Sequence, residues 1–384
     1  MKKICMITTI PKTLKSFILP TAENLYKTCG YDITLISSYD EEFEKSLPEY
    51  IHYIPVNMKR GVSLSGFGAI SKFRKIFKKQ KYDAIYYMTP NASLYASIAG
   101  KQAGIKTRIY NQCGLRYVSF DGWKRLIFKL VEKITCKKST CVKSQSPKNM
   151  QFAIDEGLCK AEKISVVGIG GTVGVDIKEC QSFDHAEKRQ TLREKYGIDK
   201  DAFVYGYVGR INKDKGISEL ITAFQALEQE RDNLYLVLVG KIDHSNPIRK
   251  EDLEYAKNHP RIVFTGAVPL DEVYPHMAMF DVLTHPTYRE GFGKVLQEAM
   301  GVGIPVITTD IPGPSEVIEN NVSGILCEVK NADDLKDKME LLYKDEELRN
   351  SLATAGFERA KKYFDRPIML NNILLDMNDI LNKQ

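Results

Sequence analysis

His285-Pro286-Thr287-Tyr288-Arg289-Glu290-Gly291-Phe292-Gly293-Lys294-Val295-Leu296-Gln297-Glu298-Ala299-Met300 decides how the rest of this chain is read. The β-branched and apolar run ending at His285 predicts a strand, the next residues a loop with two glycines, and Lys294–Met300 a helix. A loop that passes from a strand into a helix N-terminus presents unpaired backbone N–H groups and a favourable dipole to an anion. Glu290 falls in the loop. Glu298 falls about five residues up the helix, roughly 7–8 Å along its axis, so the two carboxylates do not share one helical face. They are spaced to hold two ends of an extended ligand, with hydroxyls at either end and a diphosphate between. A plain structural alternative is a Glu298–Lys294 pair, with Lys N-terminal to Glu, the weaker orientation on a helix.

Working outward, the same strand–loop–helix plan recurs. Gly209-Arg210-Ile211-Asn212-Lys213-Asp214-Lys215-Gly216 follows the predicted strand Phe203–Val208 and leads into a predicted helix, Ile217–Gln229. Gly209 permits a close backbone turn, and Arg210 and Lys215 can reach one anion from two sides. Gly303-Ile304-Pro305-Val306-Ile307-Thr308-Thr309-Asp310-Ile311-Pro312-Gly313-Pro314-Ser315-Glu316 carries a further strand into a second Gly/Pro turn. Strands at Leu234–Val239, Ile262–Phe264, Val282–His285 and Ile325–Val329 complete this half. The N-terminal half shows strands at Ile4–Thr9, Ile33–Ser37, Ile51–Val56, Ala84–Thr89, Arg108–Gln112, Thr140–Lys143 and Ile164–Gly168. Helical patterns lie between several of them, at Leu64–Lys79, Ser93–Ala103 and Gly122–Thr135. Strands alternating with helices predict βαβ units and parallel sheets, hence an α/β chain of two doubly wound domains. The turn-rich and charged stretch 171–200 places the boundary: a first domain over 1–175, a second over 176–364, and a last helix, Pro367–Asn382, within the tail 365–384. Gly168-Ile169-Gly170-Gly171-Thr172-Val173-Gly174 loosely matches a dinucleotide loop, but its third glycine falls one place late, and it is expected to be the interdomain linker.

Composition agrees. The chain has 384 residues, 43% apolar and 27% charged, enough for two cores and incompatible with a disordered, collagenous or disulfide-stapled chain. No run approaches the ~18 uncharged apolar residues of a membrane-spanning helix. MKKICMITTIP is expected to open the first strand and to be no secretory signal. Eight scattered cysteines without a CxxC pair are expected to be reduced thiols of a cytoplasmic protein. The net charge of +6 divides unevenly: residues 1–175 sum to +15 and residues 176–384 to −9. That asymmetry predicts an anionic partner for the first half, a membrane surface or a diphosphate, with no nucleic-acid signature present. Ser71–Lys81 carries six cations around Phe73, Ile76 and Phe77. It is either a helix packing those three residues inward or a lipid-facing surface, and the two readings can coexist.

In order and spacing, Gly209-Arg210 with Lys215-Gly216, then Glu290-Gly291-Phe292-Gly293, Glu298-Ala299-Met300, Gly303-Ile304-Pro305-Val306 and Gly313-Pro314-Ser315-Glu316 resemble family 4 glycosyltransferases, retaining enzymes of the GT-B fold. The match spans most of 203–360. The first half, including Thr89–Gly104, is similar to members that build capsule, exopolysaccharide or O-antigen repeats. The resemblance implies two Rossmann-like domains facing each other across a cleft, with the C-terminal helix crossing back to the first. It implies that Arg210 and Lys215 hold the diphosphate of a nucleotide sugar, and that Glu290 hydrogen-bonds the donor sugar beside the backbone of Gly291, Phe292 and Gly293. Glu298 would bind the ribose hydroxyls near Lys294, and the turn Thr265-Gly266-Ala267-Val268 would cover the base. Gly209, Gly266 and Val268 thus join the donor side. Fixed cations and a helix dipole would replace a metal ion, so neither metal nor cofactor is expected.

The first domain departs from the family pattern. Thr8-Thr9-Ile10-Pro11-Lys12-Thr13-Leu14-Lys15 contains no glycine where relatives have a Gly-rich loop, and Asn111-Gln112-Cys113-Gly114-Leu115-Arg116 lacks a histidine that many carry. No general base is assigned, and same-face internal return is the family expectation. Lys12, Thr13, Asn91, Gln112 and Arg116 are candidates for the acceptor side. The expected reaction is transfer from a UDP-sugar, with GDP as the other donor nucleotide, to a polyprenyl-diphosphate-linked glycan at the inner face of the plasma membrane. Two alternatives stand beside it: a UDP-sugar 2-epimerase of the same fold, and a non-catalytic sugar-nucleotide-binding protein.

Overall fold

The computed structural model describes residues 1–58 and 65–383, with backbone alone for 65–67 and 116. The chain forms two compact units, Met1–Val173 together with the segment from Pro367 onward, and Gly174–Arg366.

The first unit holds a seven-stranded sheet built from β1 (Lys3–Ile7), β2 (Asp32–Ser37), β3 (Ile51–Pro55), β4 (Ala84–Tyr87), β5 (Thr107–Gln112), β6 (Cys141–Ser144) and β7 (Ile164–Val166). Every pairing is parallel, in the order β3-β2-β1-β4-β5-β6-β7. Ile4, Cys5, Met6 and Ile7 are all fully buried, as expected of a strand with helices on both faces. Alternate side chains enter different cores. Cys5 and Ile7 pack with Phe73, Phe77, Ala92, Ala96 and Ala99 on one face. Ile4 and Met6 pack on the other with Leu14, Ile18, Leu25 and, from the C-terminal helix Arg366–Asn382, Leu374, Met377 and Leu381. Lys143 ties that helix to β6 through Asp376 at 2.5 Å, and Tyr31 donates to Asn378 at 2.6 Å.

The second unit repeats the plan with β8 (Phe203–Val208), β9 (Leu234–Val239), β10 (Ile262–Gly266), β11 (Val282–His285), β12 (Val306–Thr309) and β13 (Ile325–Cys327). All are parallel, in the order β10-β9-β8-β11-β12-β13. Numbered within its own unit, the second sheet runs 3-2-1-4-5-6, and the first runs in the same order with β7 added as a seventh strand at its edge. The strand order reverses between β1 and β4 in one and between β8 and β11 in the other, and such reversals are where doubly wound sheets bind ligands.

All thirteen predicted strands are present. The basic segment lies in the helix Ser65–Gln80, where Phe73 and Phe77 are buried and stacked at 5.6 Å under exposed lysines. These rings face the core, while Lys72, Arg74, Lys75, Lys78 and Lys79 are exposed. Residue 64, where this helix was expected to begin, lies outside the described residues. Helices at Leu19–Cys29, Pro147–Asp155 and Lys250–Asn258 had no counterpart in the sequence reading. The cysteines are free thiols, with Cys5, Cys136, Cys159, Cys180 and Cys327 buried. No helix among the described residues is long and apolar enough to cross a membrane.

Glu132, on the helix Gly122–Lys138, is 3% exposed and accepts from Tyr110 Oη at 2.8 Å. Burial raises its carboxyl to about 7, against the opposing hydrogen bonds from Tyr110 and Gln112. A carboxyl raised on folding favours the folded state only while protonated, so stability is lost as pH climbs from 4.5 through 7. The linkage amounts to about 3 kcal/mol at 1.36 kcal/mol per pKa unit. Glu132→Gln keeps an acceptor for Tyr110 and is expected to flatten this loss: Tm near wild type at pH 5 and above it at pH 8. Parallel Tm–pH profiles for the two proteins would refute the assignment.

Candidate active site

The reversal of the second sheet brings the two quoted loops together, because β8 and β11 are hydrogen-bonded neighbours (Val282↔Tyr205, Leu283↔Gly206). Gly209 leaves β8 at φ +149°, Lys213–Lys215 make one 3-10 turn, and Gly216 at φ +67° starts the helix Ile217–Glu228. A Cβ at Gly216 would lie 1.9 Å from the Pro286 carbonyl oxygen, so only glycine allows the loops to touch. They are then joined by polar contacts. Tyr288 N–H and Thr287 Oγ1 donate to the Asp214 carbonyl at 2.8 and 3.2 Å. Arg289 Nε and Nη2 donate to the Asp214 carboxylate at 3.0 and 2.7 Å.

This joint sets Lys215 Nζ directly against the Glu290 carboxylate. Their side chains are 15% and 27% exposed. Burial pushes the Glu290 carboxyl up, but the Lys215 ammonium and His285 outweigh it and hold it well below the usual carboxylate range. His285 lies beneath, 1% exposed, its Nε2 3.6 Å from Glu290 and its ring stacked on Tyr207 at 5.7 Å. Burial, with the nearby Lys215 charge, lowers its pKa against the pull of Glu290, so the imidazole is neutral at pH 7. Neither ring nitrogen of His285 has a hydrogen-bond partner among the described residues.

Arg210 extends from the same loop, 64% exposed, and pairs with Asp243 at 2.9 Å. Asp243 also accepts from Ser245 Oγ at 2.6 Å and Asn212 Nδ2 at 3.2 Å. The Ser245 hydroxyl first, then Asn212, the Ser245 amide and Arg210, outweigh desolvation and lower its carboxyl to about 2. Gly240 N–H donates to the Gly266 carbonyl at 2.9 Å, which places the predicted base-covering turn, with Gly266 exposed and Val268 half-buried, beside the Gly209 turn. On the other side Gly293, φ +103°, precedes the helix Lys294–Val302 and offers no side-chain cap. Gly291 stands next to Gly313, whose Cβ would come 2.7 Å from the Gly291 carbonyl oxygen. Phe292 is buried edge-on against Phe364 at 5.7 Å, so only its backbone faces the loop. Lys294 Nζ contacts the Glu298 carboxylate, the plain pairing weighed above, with Glu298 14% exposed. Arg210, Lys215 and Lys294 thus each already hold an acid of the same unit.

Among the described residues no cluster of three or more His, Cys, Asp or Glu side chains is placed to hold a metal ion. The chain's single Asp-x-Asp triplet, Asp199-Lys200-Asp201, sits on the exposed turn entering β8, at the sheet edge opposite these loops.

The first unit's candidates divide. Lys12 and Thr13 form the short helical turn after β1, Lys12 exposed. Asn91 is in the first turn of the helix Pro90–Gln102 that follows β4. Gln112 is instead buried on the side of Glu132 and Cys136, with Nε2 3.9 Å from Cys136 Sγ. The side chain of Arg116 lies outside the described residues. Thr9 and Thr89, which the sequence reading did not select, meet at the β1/β4 reversal with their hydroxyls 2.7 Å apart, Thr89 at φ +73°. Positive φ in a β-branched residue is a strained backbone. In the second unit Asp214, Asp243, His285 and Arg289 were likewise not singled out. Their signal is positional: each ends or follows β8, β9 or β11 at the carboxyl edge.

The profile described as "Glycosyl transferases group 1" matches residues 188–359, and that described as "Glycosyl transferase 4-like" matches 3–146. The capsular polysaccharide biosynthesis glycosyltransferase CapM of Staphylococcus aureus is 32% identical over 356 residues, 92% of this chain and 91% of that one. The chain belongs to the group 1 glycosyl transferases. The N,N'-diacetylbacillosaminyl-diphospho-undecaprenol alpha-1,3-N-acetylgalactosaminyltransferase of Campylobacter jejuni is 27% identical over 341 residues, covering 86% and 87%. Anabaena HepE, solved with UDP and glucose, superposes with a TM-score of 0.80 at 20% identity over 99% of this chain and 100% of that one. At that identity the likeness concerns the fold, which is the GT-B class.

The loop joint yields a direct test. Gly216→Ala combines a left-handed backbone, about 1–2 kcal/mol for an L-residue, with the clash at Pro286. It is expected to lower Tm; an unchanged Tm would show that the loops do not depend on this contact.

Proposed function

We propose that this glycosyltransferase moves a hexosyl or N-acetylhexosaminyl unit from a UDP-sugar to a polyprenyl-diphosphate-linked saccharide, with retention at the anomeric carbon and without a metal ion. The setting is the synthesis of a bacterial capsule, exopolysaccharide or O-antigen at the cytoplasmic face of the membrane. The second unit is the donor side and the first the acceptor side. The observation that carries the reading is the Lys215–Glu290 pair at the β8/β11 reversal, beside the uncapped N-terminus of the helix Lys294–Val302. An incoming diphosphate offers Lys215 and Arg210 a doubly charged partner in place of one carboxylate each. Glu290, released, accepts from hydroxyls of the donor sugar, and Glu298 from those of the ribose. The cations and the helix N-terminus then stabilise charge that builds on the departing UDP, a preorganised arrangement that needs no bound ion. His285, neutral and buried, supports Glu290 from below without adding charge. The names of the Staphylococcus and Campylobacter relatives support the polysaccharide and the diphospho-lipid acceptor, and the HepE complex supports UDP.

Arg210→Ala is expected to lower kcat/KM by 10²–10³, about 3–4 kcal/mol, as for loss of one preorganised donor; a change under about threefold would remove Arg210 from this role. Thermal shifts in EDTA with UDP, GDP, ADP and NAD test the site itself. UDP at 100 times its Kd adds ~2.7 kcal/mol, several degrees in Tm, and Glu298→Ala is expected to lose that shift. No shift with any nucleotide would overturn the donor site, and UDP release without any acceptor would point to the epimerase chemistry instead.

A further inference from the structure

The helix Gly122–Lys138 wears its apolar stripe on the outside. Its inner side is formed by Phe128, Glu132, Thr135 and Cys136, with Phe128 stacked on Phe120 at 4.8 Å and Glu132 bonded to Tyr110. Its outer side presents Trp123, Leu126, Ile127 and Leu130, which are 68%, 69%, 42% and 56% exposed. Spacings of three and four put these four on one stripe. Contiguous apolar exposure of this kind marks a surface that meets something. Six of the helix's seventeen residues are Lys or Arg, and its one acid, Glu132, points inward. Lys124, Lys133 and Lys137 are exposed, and Lys133 and Lys137 make no ion pair among the described residues. In the same helical layer, across Pro90–Gln102, the helix Ser65–Gln80 turns Lys72, Arg74, Lys75, Lys78 and Lys79 outward.

We propose that this stripe and its basic border seat the first unit on an anionic lipid bilayer. Trp123, Leu126, Ile127 and Leu130 enter the headgroup–acyl boundary, and the lysines meet the lipid phosphates. An amphipathic helix with Trp and Leu on one side and Lys on its flanks is suited to that zone, and clustered cations to an anionic leaflet. A second copy of the chain fits less well: a two-fold contact through this stripe would set each basic border against its own like charges. The inference deepens the lipid-linked-acceptor reading and rests on it for its purpose. Trp123 begins the helix shortly after β5 ends, at the sheet edge where doubly wound folds bind ligands.

Trp123 is the chain's single tryptophan, so intrinsic fluorescence reports this site alone. Vesicles of equimolar phosphatidylglycerol and phosphatidylcholine are expected to shift its emission to the blue and to float the full chain. Phosphatidylcholine vesicles are expected to bind at least about tenfold less. Leu126→Glu with Leu130→Glu, both exposed, is expected to lose at least about tenfold in flotation while keeping its UDP thermal shift. Lys133→Glu with Lys137→Glu is expected to weaken binding to the anionic vesicles selectively. Unchanged Trp123 emission, or double variants that float like wild type, would overturn the proposal. So would conversion of a wild-type dimer to a monomer by the Leu126/Leu130 variant, which would make the stripe a self-association face. Transfer assayed in detergent separates this from the functional reading. Blue-shifted Trp123 without transfer to any lipid-linked acceptor sinks the function and leaves the surface. Transfer in detergent without any shift sinks the surface alone.

Discussion

An ammonium and a carboxylate in contact at the reversal of a parallel sheet, Lys215 against Glu290, organise the second unit's chemistry. A part-buried charge of either sign is costly without its partner, so the loops that carry them must arrive in register. Three features ensure this: the absent side chain of Gly216, the clamp of Arg289 on Asp214, and the adjacency of β8 and β11. Arg210 on Asp243 and Lys294 on Glu298 follow the same logic. Each of these cations is held in place by an acid of the same unit. In the proposed reaction the donor exchanges ion pairs that already exist, and the protein does little rearranging.

The first unit has the same strand order with different loop chemistry. At its reversal no cation meets an acid among the described residues. Two threonine hydroxyls do, with Thr89 held at a backbone angle that its branched side chain resists. Thr89 leads directly into the helix Pro90–Gln102, which packs against β4 and β5. The unit's charge lies instead on its outer helices, where it complements an anionic surface more readily than a small ligand.

How much was legible follows from what each element must satisfy. The strands could be read because a strand covered on both faces must be apolar nearly throughout, as Ile4–Ile7 and Leu236–Val239 are. The loops after β8 and β11 could be located because glycines, cations and carboxylates cluster there between a strand and a helix. Helices such as Leu19–Cys29 and Lys250–Asn258 carry mixed polar and apolar residues whose pattern acquires direction only against a sheet. Asp243 and Arg289 are ordinary loop residues until strand order brings them beside Arg210 and Asp214.

The sequence by itself determined the α/β class, the thirteen strands, the two-unit plan and the glycine- and charge-rich loops after β8 and β11, since these depend on periodicity and on residue types that local chemistry demands. Only the tertiary structure decided which face of each helix is covered. Phe73 and Phe77 turned inward and Trp123, Leu126 and Leu130 outward, although both helices mix cations with apolar residues. A 3.6-residue period reports that a stripe exists, and not which side of it the rest of the chain will bury. That choice belongs to contacts between residues far apart in the chain. Glu132 turned toward Tyr110 and Phe128 against Phe120, and the greasier side of the helix was left to face outward.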